Sequence, residues 1–288
     1  MVPTNKIDVV IPYHSKDSDI LEMCISGCVS NIYNLGNIYI VTKTKDLNFA
    51  NFSNIYLINE NELFTDGLSK RYIESRLHAE CPGLVRRAGW LFQQLIKMGC
   101  SYAIAGLTEH YLVVDADVVF LKKIDFFREG RILVAKSDEF FRPYFDCYEK
   151  LLGESPDDRY SFVAHHMLIS KTIMLELLDG LGKKFGKKWY DVIIENAHCG
   201  GGLVFSEYET YGHYLANRYQ QSFLLRRLRN VQSFKIRYLL LILFNLADYV
   251  TFHDYKKPQN NPKTDPVKYK LFIGLVKYKL RKQKTKCV

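Results

Sequence analysis

The sequence predicts an α/β fold, a mostly parallel central sheet flanked by helices and followed by a basic helical tail. Three observations lead there. Short apolar and β-branched runs at 7–12, 37–41, 54–58, 111–114 and 132–135 alternate with segments of helical period, the pattern of strands joined by helical crossovers. The run Tyr111-Leu112-Val113-Val114 is apolar throughout, as a parallel strand covered on both faces must be. Charge is also unevenly spread. Residues 223–288 carry 16 Lys/Arg against three acids, while the preceding 222 carry 24 against 28. The net charge of +9 therefore belongs to the carboxyl-terminal part, which suits an acidic partner surface for that part alone.

The chain of 288 residues suffices for one large domain, expected at 1–258, with an appendage at 259–288. Hydrophobic content of 48% and charged content of 25% are those of a soluble globular protein. Seven scattered cysteines, an odd number, fit reduced thiols in a cytosolic protein better than a disulfide framework. The amino terminus Met1-Val2-Pro3-Thr4-Asn5-Lys6 has no apolar signal core, which points away from secretion.

Taken in order, Ile7-Asp8-Val9-Val10-Ile11-Pro12 reads as the first strand, stopped by Pro12. The loop Tyr13-His14-Ser15-Lys16-Asp17 would open on the crevice at the strand ends, where Tyr13 can stack on a base or simply pack. Asp17 or Ser18 can cap a helix running to about Tyr33. Two further strands follow at 37–41 and 54–58. Pro82 and Gly99 bracket a helix from Pro82 to Met98. On it Arg87, Trp90, Gln94 and Lys97 share one face, either a solvated stripe or a set of donors for an anionic sugar nucleotide.

Next comes Leu112-Val113-Val114-Asp115-Ala116-Asp117. Open α/β sheets bind ligands at the carboxyl ends of their strands, and two aspartates stand at that place here. Their hard oxygens suit Mg²⁺ or Mn²⁺, whereas a turn-capping role is the plain alternative. Strands are expected at 132–135 and 162–169. Within the second, His165 and His166 are adjacent, so at most one faces a given site. A helix from Thr172 to about Leu181 should end at Gly182.

Glycines at 200–202 permit close backbone approach, as at a sugar pocket, but Gly-x-x-x-x-Gly-Lys-Ser/Thr is missing, which excludes a P-loop. Ser206 can cap a helix with Glu207 and Glu209 in its first turn. Either acid can serve as a general base, or both can serve the helix start alone. Seven apolar residues at 238–244 are too few to span a bilayer. From Asp265-Pro266 a last helix runs to about Lys282. Leu271, Phe272, Leu275, Val276 and Leu280 form its apolar stripe, and lysines flank it. That pattern suits an anionic membrane interface. A nucleic-acid arm and packing of the stripe onto the body compete with it.

Val9-Val10-Ile11-Pro12-Tyr13-His14, the 89–97 helix, Leu112 to Asp117 and Ser206 to Gly212 together resemble the GT-A glycosyltransferases, over roughly residues 6–255. Within that class they look like a bacterial branch associated with surface-polysaccharide synthesis. The resemblance implies a Rossmann-like GT-A sheet and a UDP- or GDP-sugar donor with Mn²⁺ or Mg²⁺. It implies a saccharide or lipid-linked glycan acceptor, and no nucleic acid. Asp115 and Asp117 match the metal and donor-diphosphate motif, with Asp117 the more direct ligand, and His253 is placed like a late metal-ligating histidine. Pro12, Tyr13, His14, Lys16, Arg87, Gln94, Lys97, Asp115 and Ala116 would line the donor site. Glu209 or Glu207 would be the base of an inverting displacement, although Glu207-Tyr208-Glu209 departs from the usual Glu-Asp pair. The expected location is cytoplasmic, peripheral on the inner face of the membrane.

Two other classes remain open on the sequence. A sugar nucleotidyltransferase would use a similar sheet, but the loop after the first strand has no glycine through Lys16. A non-catalytic glycan- or membrane-binding module is the other.

Overall fold

The computed structural model describes residues 6–44, 47–49, 52–199, 202–232 and 234–284. The first half contains β1 (Ile7–Pro12), α1 (Leu21–Asn31), β2 (Leu35–Thr42), β3 (Ile55–Asn59), α2 (Lys70–Glu80), α3 (Ala88–Ala103) and β4 (His110–Val114). After it come β5 (Val118–Phe120), β6 (Phe127–Arg128), β7 (Arg131–Lys136), α4 (Arg142–Leu152), β8 (His166–Ser170), α5 (Lys171–Phe185) and α6 (Trp189–Asn196). The remainder is β9 (His198–Cys199), β10 (Gly202–Leu203), α7 (Glu207–Arg218), β11 (Phe223–Arg227), β12 (Asn230–Val231), α8 (Ile236–Leu243), β13 (Tyr249–Thr251) and α9 (Pro266–Lys284).

The central sheet has the order β3-β2-β1-β4-β8. Its first four strands are parallel, and β8 runs antiparallel to β4. The expected class, a mostly parallel sheet with helices around it and a carboxyl-terminal helix, is what the chain adopts. β1 and the apolar part of β4 are buried along their length because both faces are covered. Reversal of β8 matters for the site. Its amino-terminal end lies at the edge where β1 and β4 finish, with His166 opposite Val114.

A second, three-stranded sheet extends from that edge. The chain turns after β4, Val118 N–H donating to the Asp115 carbonyl at 3.0 Å, and β5 then pairs antiparallel with β13. Phe252 N–H bonds the Asp117 carbonyl at 2.9 Å, so β13 delivers His253 beside the aspartates. A third sheet has the order β11-β7-β6.

Several boundaries differ from expectation for identifiable reasons. The helix expected over Pro82–Met98 is a 3₁₀ turn, Pro82–Arg87, followed by α3. Gly99 does not end α3 but lies within it. A Cβ there would stand 2.6 Å from the Phe64 ring, so its smallness serves packing. The strand expected over 162–169 begins only at His166. The Phe162 N–H is taken by the Glu209 carboxylate, and His165 has φ +61°. The next helix passes through Gly182 and stops at Gly186, whose φ of +63° ends it in the left-handed conformation.

The largest correction concerns α9. Its residues Tyr269, Phe272, Val276 and Leu280 are buried with Ile20, Met23, Val119, Phe252 and the α8 residues Leu239 and Ile242. The stripe expected to face a membrane therefore packs onto the body, leaving only Leu271 of the five largely exposed and Leu275 partly so. The last helix thus shares a small core with residues of α1, β5 and α8. Lys257, fully buried, adds a polar link by donating to Asp19 Oδ1 at 2.9 Å and to the Lys16 carbonyl at 2.8 Å. Among the described residues no helix is long and apolar enough to cross a membrane. Gly200 and Gly201 of the glycine run lie outside the described residues.

Candidate active site

A cavity of about 320 Å³ opens at the carboxyl edge of the parallel strands. Pro12, Lys16, Asp115, Ala116 and Asp117 line it from the ends of β1 and β4. From α3 come Trp90, Gln94 and Lys97, and from the start of α7 come Ser206, Glu207 and Tyr208. The polar stripe on α3 is thus not a solvated face: Gln94 and Lys97 are buried.

Tyr13, His14, Arg87 and Glu209 are not among the lining residues. Tyr13 is buried in the core. His14 Nδ1 accepts from Lys16 N–H at 3.2 Å, capping the turn that follows. Arg87 falls in the 3₁₀ segment rather than in α3, and its guanidinium lies 4.8 Å from the centre of the Trp90 ring. Glu209 points the other way. Its carboxylate accepts from the Ser161 hydroxyl at 2.5 Å and from Phe162 N–H at 2.9 Å, and the His213 ring stands 3.2 Å away. Ser206 caps α7 as expected, its hydroxyl accepting from Glu209 N–H at 3.3 Å. Of the two glutamates considered for the base, the structure brings only Glu207 to the cavity.

Asp115 is engaged by three neighbours. Lys97 Nζ and the Tyr208 hydroxyl (3.2 Å) bond its Oδ1, and His165 Nδ1 stands 3.1 Å from its Oδ2. Lys97 also donates to Glu207 Oε1 at 2.5 Å, and Gln94 Oε1 accepts Glu207 N–H at 3.2 Å. Asp117 is the opposite case. Its Oδ1 is buried with no hydrogen-bond partner, and its Oδ2 lies 3.7 Å from His253 Nδ1. His165 and His253 pack ring against ring at 4.8 Å, and Glu139 lies 3.5 Å from His165 Nε2.

These contacts divide the charges. Burial alone would raise the Asp115 carboxyl, but Lys97 and His165 outweigh it and hold it well below the usual carboxylate range. Asp117 is pushed up to about 7 by burial and by the Asp115 charge. His165, despite burial, is raised to about 10 by its bonds to Asp115 and Glu139, so it is a cation at neutral pH. His253 is pushed down to about 3 by burial and by the charge of His165, which leaves it neutral. Burial raises Glu207 while Lys97 opposes the shift.

An unpartnered, buried carboxylate oxygen beside a neutral imidazole is a donor set for a divalent cation. Among the described residues no three His, Cys, Asp or Glu side chains are gathered as a complete metal cage. Mg²⁺ is commonly held by one or two protein carboxylates together with substrate phosphates. Asp117 and His253 would hold such an ion, beside Asp115, which already bonds Lys97, Tyr208 and His165.

Sequence reasoning passed over His165, Glu139 and Tyr208. The adjacent pair His165-His166 was the available signal, since only one of the two can face the site. His165 does, and His166 is turned into the rings of Phe120 and Tyr249. Glu139 and Tyr208 left no comparable trace. The cysteines recorded (24, 28, 81, 100 and 147) are free, as expected.

The model of a family of unknown function, DUF6492, matches residues 4–232. No curated protein matches the chain. Among solved structures, mouse xyloside xylosyltransferase 1 in its apo form is similar, with TM-score 0.44 and 9% identity over 86% of this chain and 97% of its own. The galactosyltransferase LgtC in complex with donor and acceptor sugar analogs is similar with TM-score 0.45 and 13% identity, over 94% and 96%.

Proposed function

The chain belongs to the family of unknown function DUF6492, and from its site we propose that it is a metal-dependent glycosyltransferase of GT-A type. It would move a sugar from a UDP- or GDP-sugar to a saccharide or lipid-linked glycan in surface-polysaccharide synthesis, at the cytoplasmic face of the membrane. The observation that carries this reading is Asp117, a buried carboxylate with an unpartnered oxygen, neighbouring His253, at the carboxyl end of a central parallel strand.

A divalent ion bound by Asp117 and His253 would neutralise the charge that builds on a departing diphosphate. The chain's own residues supply the rest. Lys16 lines the same cavity and is exposed, placed to meet phosphate oxygens. Trp90 offers a ring face on which a base or sugar can lie. Glu207, lining the cavity, takes the proton of the acceptor hydroxyl as that oxygen attacks the anomeric carbon. Lys97 keeps Glu207 and Asp115 fixed with respect to each other. Inversion at the anomeric carbon follows from a single displacement.

The test is donor hydrolysis by the full chain. Release of nucleoside diphosphate from a panel of UDP- and GDP-sugars is followed with Mn²⁺ and with EDTA. Metal-dependent release from at least one donor is expected. No release from any of them overturns the reading.

A further inference from the structure

Beside the cavity lies a second, larger groove of about 1,070 Å³, and Glu139, Val163 and Tyr255 line both. An acceptor whose reacting end occupies the cavity can therefore continue into it. Four cations reach the groove from three segments: Lys122, Lys136, and Arg227 with Arg229. Three carboxylates are there too, but each is engaged. Asp138 pairs with Arg227 at 2.9 Å, Asp248 with Lys122 at 2.9 Å, and Glu139 faces His165. Asp248 also accepts the Arg229 backbone N–H at 2.7 Å, but among the described residues neither the Arg229 guanidinium nor the Lys136 ammonium pairs with a carboxylate. The Lys136 ammonium lies 5.8 Å from the Tyr160 ring centre, and Arg229 donates to the Leu246 carbonyl at 3.2 Å.

Leu246 itself lines the groove. It follows the tip of α8, where Leu240, Leu243 and Phe244 are exposed, Phe244 by 70%. An apolar cluster of this kind on a protein surface marks a contact with something apolar. The order along the surface is thus cavity, cations, apolar shelf.

We infer that the groove binds the diphosphate of a lipid-linked acceptor, with Lys136 and Arg229 on the phosphates and the α8 tip against the start of the lipid chain. This rests on the transferase reading and names the acceptor class for it. A free oligosaccharide would leave the shelf without a role, and a protein partner would leave the Lys136 ammonium and the Arg229 guanidinium unpaired on the path to the cavity. The membrane contact thereby moves from the α9 stripe, which is buried, to the tip of α8.

The test is calorimetric titration of the full chain with farnesyl diphosphate, inorganic diphosphate and farnesol. Farnesyl diphosphate should bind roughly tenfold or more tightly than either fragment, since both ends contribute. Lys136→Ala combined with Arg229→Ala should weaken it roughly tenfold, as should Leu243→Ser combined with Phe244→Ser. Inorganic diphosphate should respond only to the first pair. All four are surface positions away from the cavity, so donor hydrolysis should be unchanged in both variants. Equal affinity for farnesyl and inorganic diphosphate would remove the lipid arm, and binding that ignores both variants would remove the site. Donor hydrolysis without farnesyl diphosphate binding overturns the groove and leaves the transferase. Binding without hydrolysis of any donor does the reverse.

Discussion

Lys97 Nζ lies 2.5 Å from Glu207 Oε1 while also bonding Asp115, so one buried cation ties the start of α7 to the end of β4. Those elements are about a hundred residues apart in the chain, and their meeting forms the floor of the cavity. Breaking a buried ion pair by removing one member leaves a charge without compensation, at about 3–5 kcal/mol. Lys97→Met should accordingly lower unfolding stability by about 3 kcal/mol and abolish turnover. Urea unfolding measures the first, and a shift under about 1 kcal/mol would mean that the cation does not hold the two acids.

Asp117→Asn should behave differently. Among the described residues no Lys or Arg forms a salt bridge with Asp117, and its Oδ1 bonds nothing, so the fold should survive with unchanged or slightly higher stability. Binding of Mn²⁺, followed by calorimetry, should be lost, together with metal-dependent donor hydrolysis. Retention of full activity would remove the aspartate from the metal site.

The two glutamates of α7 should separate cleanly. Glu207→Gln should lower kcat by roughly 10²–10⁴-fold, the usual worth of a general base, with little change in donor affinity. Glu209→Gln disturbs an acceptor of two buried hydrogen bonds, from Ser161 and Phe162, and should cost about 1–3 kcal/mol of stability. At a temperature where it is folded, that variant should retain activity. If only Glu209→Gln lost turnover, the base would have to lie outside the cavity described.

Much of this was legible because strands and carboxylates leave local marks. The apolar run into Asp115 and Asp117 identified the central strand and its ligand edge without any knowledge of its partners. What escaped depends on residues far apart in sequence. Glu207 and Glu209 are indistinguishable as acids in a first helical turn; Lys97 and Ser161, from other elements, decide which one meets the cavity. The α9 stripe likewise has the same period whether it meets lipid or Phe252 and Met23. Periodicity reports that a face is apolar, not what covers it.

His166 supplies a pH dependence. It is pushed down to about 3 by burial and by Arg226, against about 6.5 in an unfolded chain. Between these values the unfolded state binds a proton that the folded state does not, so stability falls as pH falls through the window. From about pH 7 to pH 5 this one residue should cost about 2 kcal/mol. In His166→Phe the rings of Phe120 and Tyr249 keep an aromatic neighbour, and the acid-induced loss should shrink by that amount relative to the parent. Parallel unfolding curves for the two proteins at both pH values would show that His166 titrates normally.

Removal of α9 should unfold the domain rather than release it from a membrane. A chain ending at Pro262 loses Tyr269, Phe272, Val276 and Leu280, each buried against α1, α8 or β13 neighbours. At about 1.5–3 kcal/mol per buried side chain, four of them contribute about 6–12 kcal/mol. A whole domain is stable by only about 5–15 kcal/mol. Polar ties go as well: the Tyr269 hydroxyl donates to Asp19 at 2.8 Å, and Gln283 donates to the Leu121 carbonyl at 2.7 Å. The shortened chain would also bare Ile20, Met23 and Phe252, so it should aggregate and bind a hydrophobic dye. Thermal melts of the full and shortened chains, with dye binding alongside, decide the matter. A cooperative melt at the parent midpoint, with no added dye binding, would mean that α9 is dispensable to the core and free for another surface.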